Sequence, residues 1–121
     1  MTSDKFKSFS RKPDVLIVED NEEMRFYLKE ILGTDVSISE APNGNEALKR
    51  LASHIPDLII SDVMMPEMDG VEFLTHLKGS SAWRGIPVVM LTARASEEDL
   101  LRGLSLGVER LHRESRSMQA S

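Results

Sequence analysis

Three short apolar runs restrict the folds open to this chain more than any other feature: "DVLIV" (Asp14 to Val18), "LIIS" (Leu58 to Ser61) and "VVML" (Val88 to Leu91). Each is too short for a helix, and the β-branched residues in them favour strands. Runs apolar without alternation are buried on both faces, as in a parallel sheet covered by helices. Two of them end in acid. "VLIV" leads into Glu19 and Asp20, and "LIIS" into Asp62.

The intervening segments carry helical spacing. Asp20 or Asn21 can cap a first helix, with Glu22 and Glu23 in the turn where the helix dipole favours acids. Met24, Tyr27, Leu28 and Ile31 fall at i, i+3, i+4 and i+7, which predicts the buried face, and Gly33 ends the helix. Val36 to Ser39 alternates, predicting a half-buried edge strand. Asn43 caps a second helix in which Ala47, Leu48, Leu51 and Ala52 share a side, and Pro56 closes it. A third helix is predicted from about Gly70 to Lys78, with Val71, Leu74 and Leu77 inward. Ser96 caps a fourth, with Glu97, Glu98 and Asp99 in its first turn. The order βαβαβαβα predicts an α/β fold with a doubly wound parallel sheet and right-handed crossovers.

Composition removes several function classes. The chain has no cysteine, which excludes disulfides and thiolate metal sites. Its net charge of −5 argues against a nucleic-acid surface, since phosphate binding rests on Lys and Arg. No apolar stretch approaches the ~20 residues of a membrane span, so no membrane contact is expected. The polar start is not a secretory signal, and a cytoplasmic location is the default expectation. Residues 1–13, basic at Lys5, Lys7, Arg11 and Lys12, read as a leader or linker. The histidines, His54, His76 and His112, have no metal-ligand spacing and read as surface residues.

In an open parallel sheet every strand points its carboxyl end to the same edge, where ligands bind. Glu19, Asp20, Asp62 and Thr92, which follows "VVML", should therefore meet on one rim. Two carboxylates ~5 Å apart repel by ~3 kcal/mol at an effective dielectric of 20. Three in one pocket must protonate, separate or hold a cation. A hard divalent ion, Mg²⁺ above all, suits oxygen ligands and shares itself with a phosphate. A carboxylate in such a pocket can attack phosphorus, giving an aspartyl phosphate. Asp62, ending the central strand, is the candidate nucleophile, with Glu19 and Asp20 as metal-site acids and a nearby hydroxyl to bond the phosphoryl oxygens.

"VLIVEDNEEMRFYL", "PDLIISDVMMPEMDG" and "IPVVMLTARAS" resemble the receiver domain of two-component response regulators, and especially receivers attached to hybrid sensor histidine kinases. The resemblance runs from about Asp14 to Val108. It implies a parallel sheet in the order 2-1-3-4-5 and a phosphoacceptor domain rather than an enzyme. It implies that Asp62 is phosphorylated by a histidine on a partner kinase, in the same parent chain or a separate one. It further implies Mg²⁺ held by Asp20, Asp62 and the main-chain carbonyl of Met64, by Glu19 through water, and Thr92 as the switch hydroxyl.

The pattern breaks after "LGV". By position Leu111 stands where the family has a switch aromatic, Glu114 where it has a lysine, and Ser115 where it has a proline. No candidate for a fifth strand or fifth helix follows, so the expected sheet is 2-1-3-4, over a truncated receiver at 14–108 and a non-family tail at 109–121. Leu101, Leu104, Val108, Leu111, Ser115 and Met118 keep an a/d heptad spacing, so the fourth helix can run on through the tail despite Gly103 and Gly107 at ~1 kcal/mol each. The alternative is unrelated tail sequence, vector-derived or out of frame. An uncovered "VVML" edge invites pairing with another chain, so a dimer or exchanged oligomer is expected through that edge or the tail helix. Impaired phosphorylation follows from the acid at the lysine position. Two other function classes compete. An aspartyl phosphatase resembling the haloacid dehalogenase group would need an acid where Met64 stands. A phosphorylation-independent protein-interaction module would need no metal.

Overall fold

The computed structural model describes residues 12–65, 67–91, 98 and 100–109. Strands β1 (Asp14–Val18), β2 (Ser37–Ala41), β3 (Leu58–Asp62) and β4 (Val88–Leu91) form one sheet in the order β2-β1-β3-β4. Every neighbouring pair is parallel, with Ile17 opposite Glu40 and Ile60, and Asp62 opposite Leu91. Helices α1 (Glu22–Leu32), α2 (Gly44–Ser53) and α3 (Gly70–Lys78) connect the strands, and residues 100–109 form a further helix, α4. The α/β order and the 2-1-3-4 sheet agree with the sequence.

Residues alternate across the sheet, so each strand supplies two cores. Leu16, Val18 and Ile59 meet Ala47 and Leu51 of α2 and Phe73 and Leu77 of α3. Val15, Ile17, Leu58 and Ile60 meet Leu28 and Leu32 of α1 and Leu100 of α4. Helices thus cover both faces, which is why β1 and β3 are apolar without alternation.

Helix rotation departs from the expectation in three places. In α1 the buried residues are Leu28 and Leu32, while Met24 and Tyr27 are 41% and 52% exposed. In α3 the inward positions are Gly70, Phe73 and Leu77, leaving Val71 exposed and Leu74 half-buried. Phe73 offers the larger surface to bury, and it turns the helix by about one position. In α2 Ala47 and Leu51 are buried as expected, but Ala52 is exposed. β2 lies at Ser37–Ala41 rather than Val36–Ser39, with the alternating burial of an edge strand.

α4 continues past both glycines. Its sheet-facing residues are Leu100, Gly103 and Gly107, with Leu104 half-buried, whereas Leu101 is 58% exposed. The heptad seam therefore flanks the packed face instead of forming it. A Cβ at Gly103 would overlap the Val89 side chain, and one at Gly107 would lie 3.1 Å from the Asp57 carbonyl oxygen. The glycines let the helix press onto β3 and β4, and this contact offsets their low helix propensity. The seam positions Leu111, Ser115 and Met118 lie outside the described residues, as do the expected cap Ser96 and Glu97 and Asp99.

At the amino end of the sheet Asp57 is buried, and its carboxylate accepts the Asp14 N–H at 2.8 Å. Asp14 in turn bonds His54 Nε2 through Oδ2 at 2.9 Å. The acid that opens β3 thus secures the first peptide of β1, while the acid that closes it faces the opposite rim.

Candidate functional site

The acid rim is built by two turns. β1 stops at Val18 because Asn21 caps α1 three residues on: its side chain accepts the Met24 N–H at 3.0 Å, and Glu22 and Glu23 fill the first turn. Glu19 and Asp20 are held in that turn. The Glu19 N–H donates to the Ala41 carbonyl of β2 at 3.0 Å, and Arg25 Nη1 donates to the Glu19 carbonyl at 2.6 Å. The second turn follows β3. Asp62 ends the strand half-buried, the Met64 N–H donates to Asp62 Oδ1 at 3.2 Å, and the Gly70 N–H returns to the Val63 carbonyl at 2.8 Å. A Cβ at Gly70 would overlap the Asp62 carbonyl, so only glycine lets α3 start this close to the strand end. Asp69 caps α3 by accepting the Glu72 N–H at 2.9 Å.

Glu67 carries the left-handed backbone of this loop, with φ 68°, and its carboxylate accepts from Asn45 Nδ2 at 3.4 Å. Met68 lies against Gly44 at the start of α2, where a Cβ would sit 2.8 Å from the Met68 sulfur. The loop after Asp62 is therefore held against a second helix. Pro66, in the same loop, lies outside the described residues.

The two turns bring together one carboxylate oxygen each from Glu19, Asp20 and Asp62, all within 4.8 Å of one another. Asp20 is exposed, Asp62 half-buried and Glu19 only 4% exposed. Glu19 Oε1 accepts the Asn21 N–H at 3.3 Å, but Oε2 is buried with no hydrogen-bond partner among the described residues. Burial, the adjoining Asp62 carboxyl and the charge of Asp20 push the Glu19 carboxyl up from 4.5 to about 7, against the lowering effect of the Asn21 N–H. Glu19 and Asp62 can bond each other only while one holds a proton. Ionised, they leave Oε2 with no donor among the described residues.

An orphaned buried carboxylate oxygen facing two more carboxylates fits a hard cation. Carboxylate oxygens are the hard donors that Mg²⁺ takes, and Glu19, Asp20 and Asp62 would hold such an ion with water completing its shell. The sequence anticipated this meeting of Glu19, Asp20 and Asp62. Met64 adjoins the site through its N–H, with its side chain 77% exposed. Thr92 lies outside the described residues. Arg25 was missed, although it stands one turn before Leu28 and Lys29 on the face that α1 turns to the sheet.

Comparison with known proteins follows the same lines. Residues 15–111 match the family model of the response regulator receiver domain. A histidine kinase, P4, of Formosa agariphila is 44% identical over 98 residues, which are 81% of this chain and 7% of that protein. The phosphate regulon transcriptional regulatory protein PhoB of Escherichia coli is 42% identical over 96 residues, 78% of this chain and 42% of that protein. This chain thus spans a minor part of both relatives. Among solved structures, the signal receiver domain of a histidine kinase from Syntrophus aciditrophicus superposes with a TM-score of 0.65 at 43% identity, covering 78% of this chain and 72% of that one. The chemotaxis protein CheY4 of Vibrio cholerae gives 0.63 at 29% identity, over 88% and 98%.

Proposed function

The chain belongs to the response regulator receiver domain family, and from that premise we propose that Asp62 is a phosphoacceptor served by a Mg²⁺ ion at Glu19, Asp20 and Asp62. The module is one of two-component signalling. The observation that carries the finer reading is the convergence of three carboxylates, one with a buried oxygen that has no donor among the described residues. Bound Mg²⁺ supplies positive charge that offsets both the acids and the transferring phosphoryl group. Asp62 supplies the attacking oxygen: its O–P bond forms as the P–N bond to a donor histidine breaks, and the imidazole keeps the electron pair. Asp20 and Asp62 would hold the ion directly, Glu19 would do so through water, and the Met64 carbonyl would be the remaining protein ligand. Thr92 is assigned the hydroxyl that bonds the phosphoryl oxygens. The donor is a histidine kinase, in keeping with the kinases among the relatives.

Transfer in this chain is slow, because Glu114 puts an acid where the family has a lysine. Incubation with Mg²⁺ and acetyl phosphate, followed by intact mass, tests this. A minor phosphorylated fraction is expected, dependent on Mg²⁺ and absent in Asp62→Asn; no adduct, or one that survives Asp62→Asn, overturns the assignment. The competing reading, an interaction module that keeps the fold without phosphorylation, draws on the same Glu114 and on Leu111. It predicts no metal binding, and a Mg²⁺ titration separates the two.

Self-association belongs to this proposal as well. Among the described residues β4 is paired on one side only, and its residues Val88 to Leu91 are half-buried and wholly apolar. The other edge, β2, carries Ser37, Ser39 and Glu40. A dimer through the β4 edge or the tail is the expected form in light scattering; a monomer at high concentration counts against it.

A further inference from the structure

We propose that Arg25 is a positioning residue for the acid site, holding the turn that carries Glu19 and Asp20 by clamping the Glu19 carbonyl to β2. This inference rests on the phosphoacceptor reading for its purpose, though not for its geometry. Arg25 lies in the second turn of α1 with its side chain 19% exposed. Nη1 donates to the Glu19 carbonyl at 2.6 Å, and Nε donates to Glu40 Oε1 on β2 at 3.0 Å. Lys29 Nζ holds the other Glu40 oxygen at 3.1 Å. The neighbouring β2 residue, Ala41, accepts the Glu19 N–H at 3.0 Å. Both polar groups of the residue 19 backbone are therefore tied to β2, one directly and one through the Arg25–Glu40 pair.

The tie is needed because β1 leaves the sheet there. The ladder with β3 ends at Val18, so the Glu19 carbonyl has passed beyond it. A part-buried carbonyl without a donor is costly, and a guanidinium, with two donors set at a fixed angle, can satisfy it while reaching Glu40. Released, the turn could rotate Glu19 Oε2 and Asp20 away from Asp62.

Charge makes the idea separable from simple electrostatics. A cation beside an acid cluster opposes the binding of a second cation, so removing Arg25 should tighten Mg²⁺ binding if charge alone mattered. A positioning role predicts the reverse. The full chain would be compared with Arg25→Met and with Arg25→Lys, which keeps the charge but has a single nitrogen to span two acceptors.

Amide exchange is read first, without metal. In Arg25→Met, residues 19–21 should exchange roughly tenfold faster, the loss of one charge-assisted bond, while Ile59 and Ile60 stay unchanged. Arg25→Lys should fall between. The Mg²⁺ dissociation constant, by calorimetry, should rise about 10-fold in Arg25→Met, as for other residues that orient metal ligands. Unchanged exchange at residues 19–21 overturns the proposal, as does acceleration spread equally to Ile59 and Ile60, or tighter Mg²⁺ binding. If the unaltered chain bound no Mg²⁺, the phosphoacceptor reading would fall, and the exchange pattern alone would decide the role of Arg25.

Discussion

Replacing Glu19 with glutamine removes a charge that the rim cannot hold unaided, while keeping the shape of the side chain. The amide oxygen can still accept the Asn21 N–H, and the amide nitrogen can donate to Asp62. Because the folded chain raises the Glu19 carboxyl from 4.5 to about 7, it binds that proton more tightly than the unfolded chain does. Stability from this group is complete below pH 4.5, and it is lost as the pH rises through the window to about 7. At ~1.4 kcal/mol per tenfold change, the loss is at most about 3–4 kcal/mol. Glutamine is neutral throughout, so Glu19→Gln should match the unaltered chain near pH 4 and exceed it at pH 8 by ~1–3 kcal/mol without metal. At about 4 °C per kcal/mol, the melting temperature at pH 8 should rise by roughly 4–12 °C. Mg²⁺ should narrow that lead, because binding at 100 times the dissociation constant adds ~2.7 kcal/mol to a chain and adds less to one that binds the ion more weakly. Circular dichroism melts from pH 4 to 8, with and without Mg²⁺, provide the assay. A variant less stable than the parent at pH 8 without metal, or a gain independent of pH, would refute the reasoning.

Gly103→Ala tests the seating of α4: a helix free of the sheet would gain ~1 kcal/mol, whereas overlap with Val89 should cost about 1–3 kcal/mol, read from the urea midpoint. Phe73→Ala should cost roughly 3–5 kcal/mol because its side chain is buried at 0% exposure, while Val71→Ala, at 60% exposure, should stay within ~0.5 kcal/mol. Gly70→Ala should weaken Mg²⁺ binding as well as the fold, since the new Cβ meets the Asp62 carbonyl and lies 2.8 Å from Val63 Cα; unaltered affinity in a calorimetric titration would count against this.

The strands were legible because "VLIV" and "LIIS" are buried on both faces, which leaves a run that no amphipathic helix produces. The acid rim followed from topology alone, since parallel strands deliver their carboxyl ends to one edge. Helix rotation was harder to read. Met24, Phe26 and Tyr27 are all exposed apolar residues on α1, so the spacing could not show which stripe the sheet would cover. In α3 the larger surface of Phe73 wins over Val71, and the rotation also seats Gly70 against the Asp62 carbonyl, a tertiary contact that spacing does not show. Gly103 and Gly107 looked like losses in helix propensity because their compensation, close approach to Val89 and Leu58, comes from distant sequence. Arg25 went unnoticed for a related reason: a basic residue on an acidic helix reads as solvated until its carbonyl partner is located.

The central claim, that residues 19, 20 and 62 share one cation, is tested most directly with paramagnetic Mn²⁺ as a stand-in for Mg²⁺. In amide spectra of the chain, substoichiometric Mn²⁺ should broaden Glu19 to Asn21 and Asp62 to Met64 first, and excess Mg²⁺ should restore those signals. Broadening scattered over the acidic surface, or confined to one of the two turns, would contradict the account.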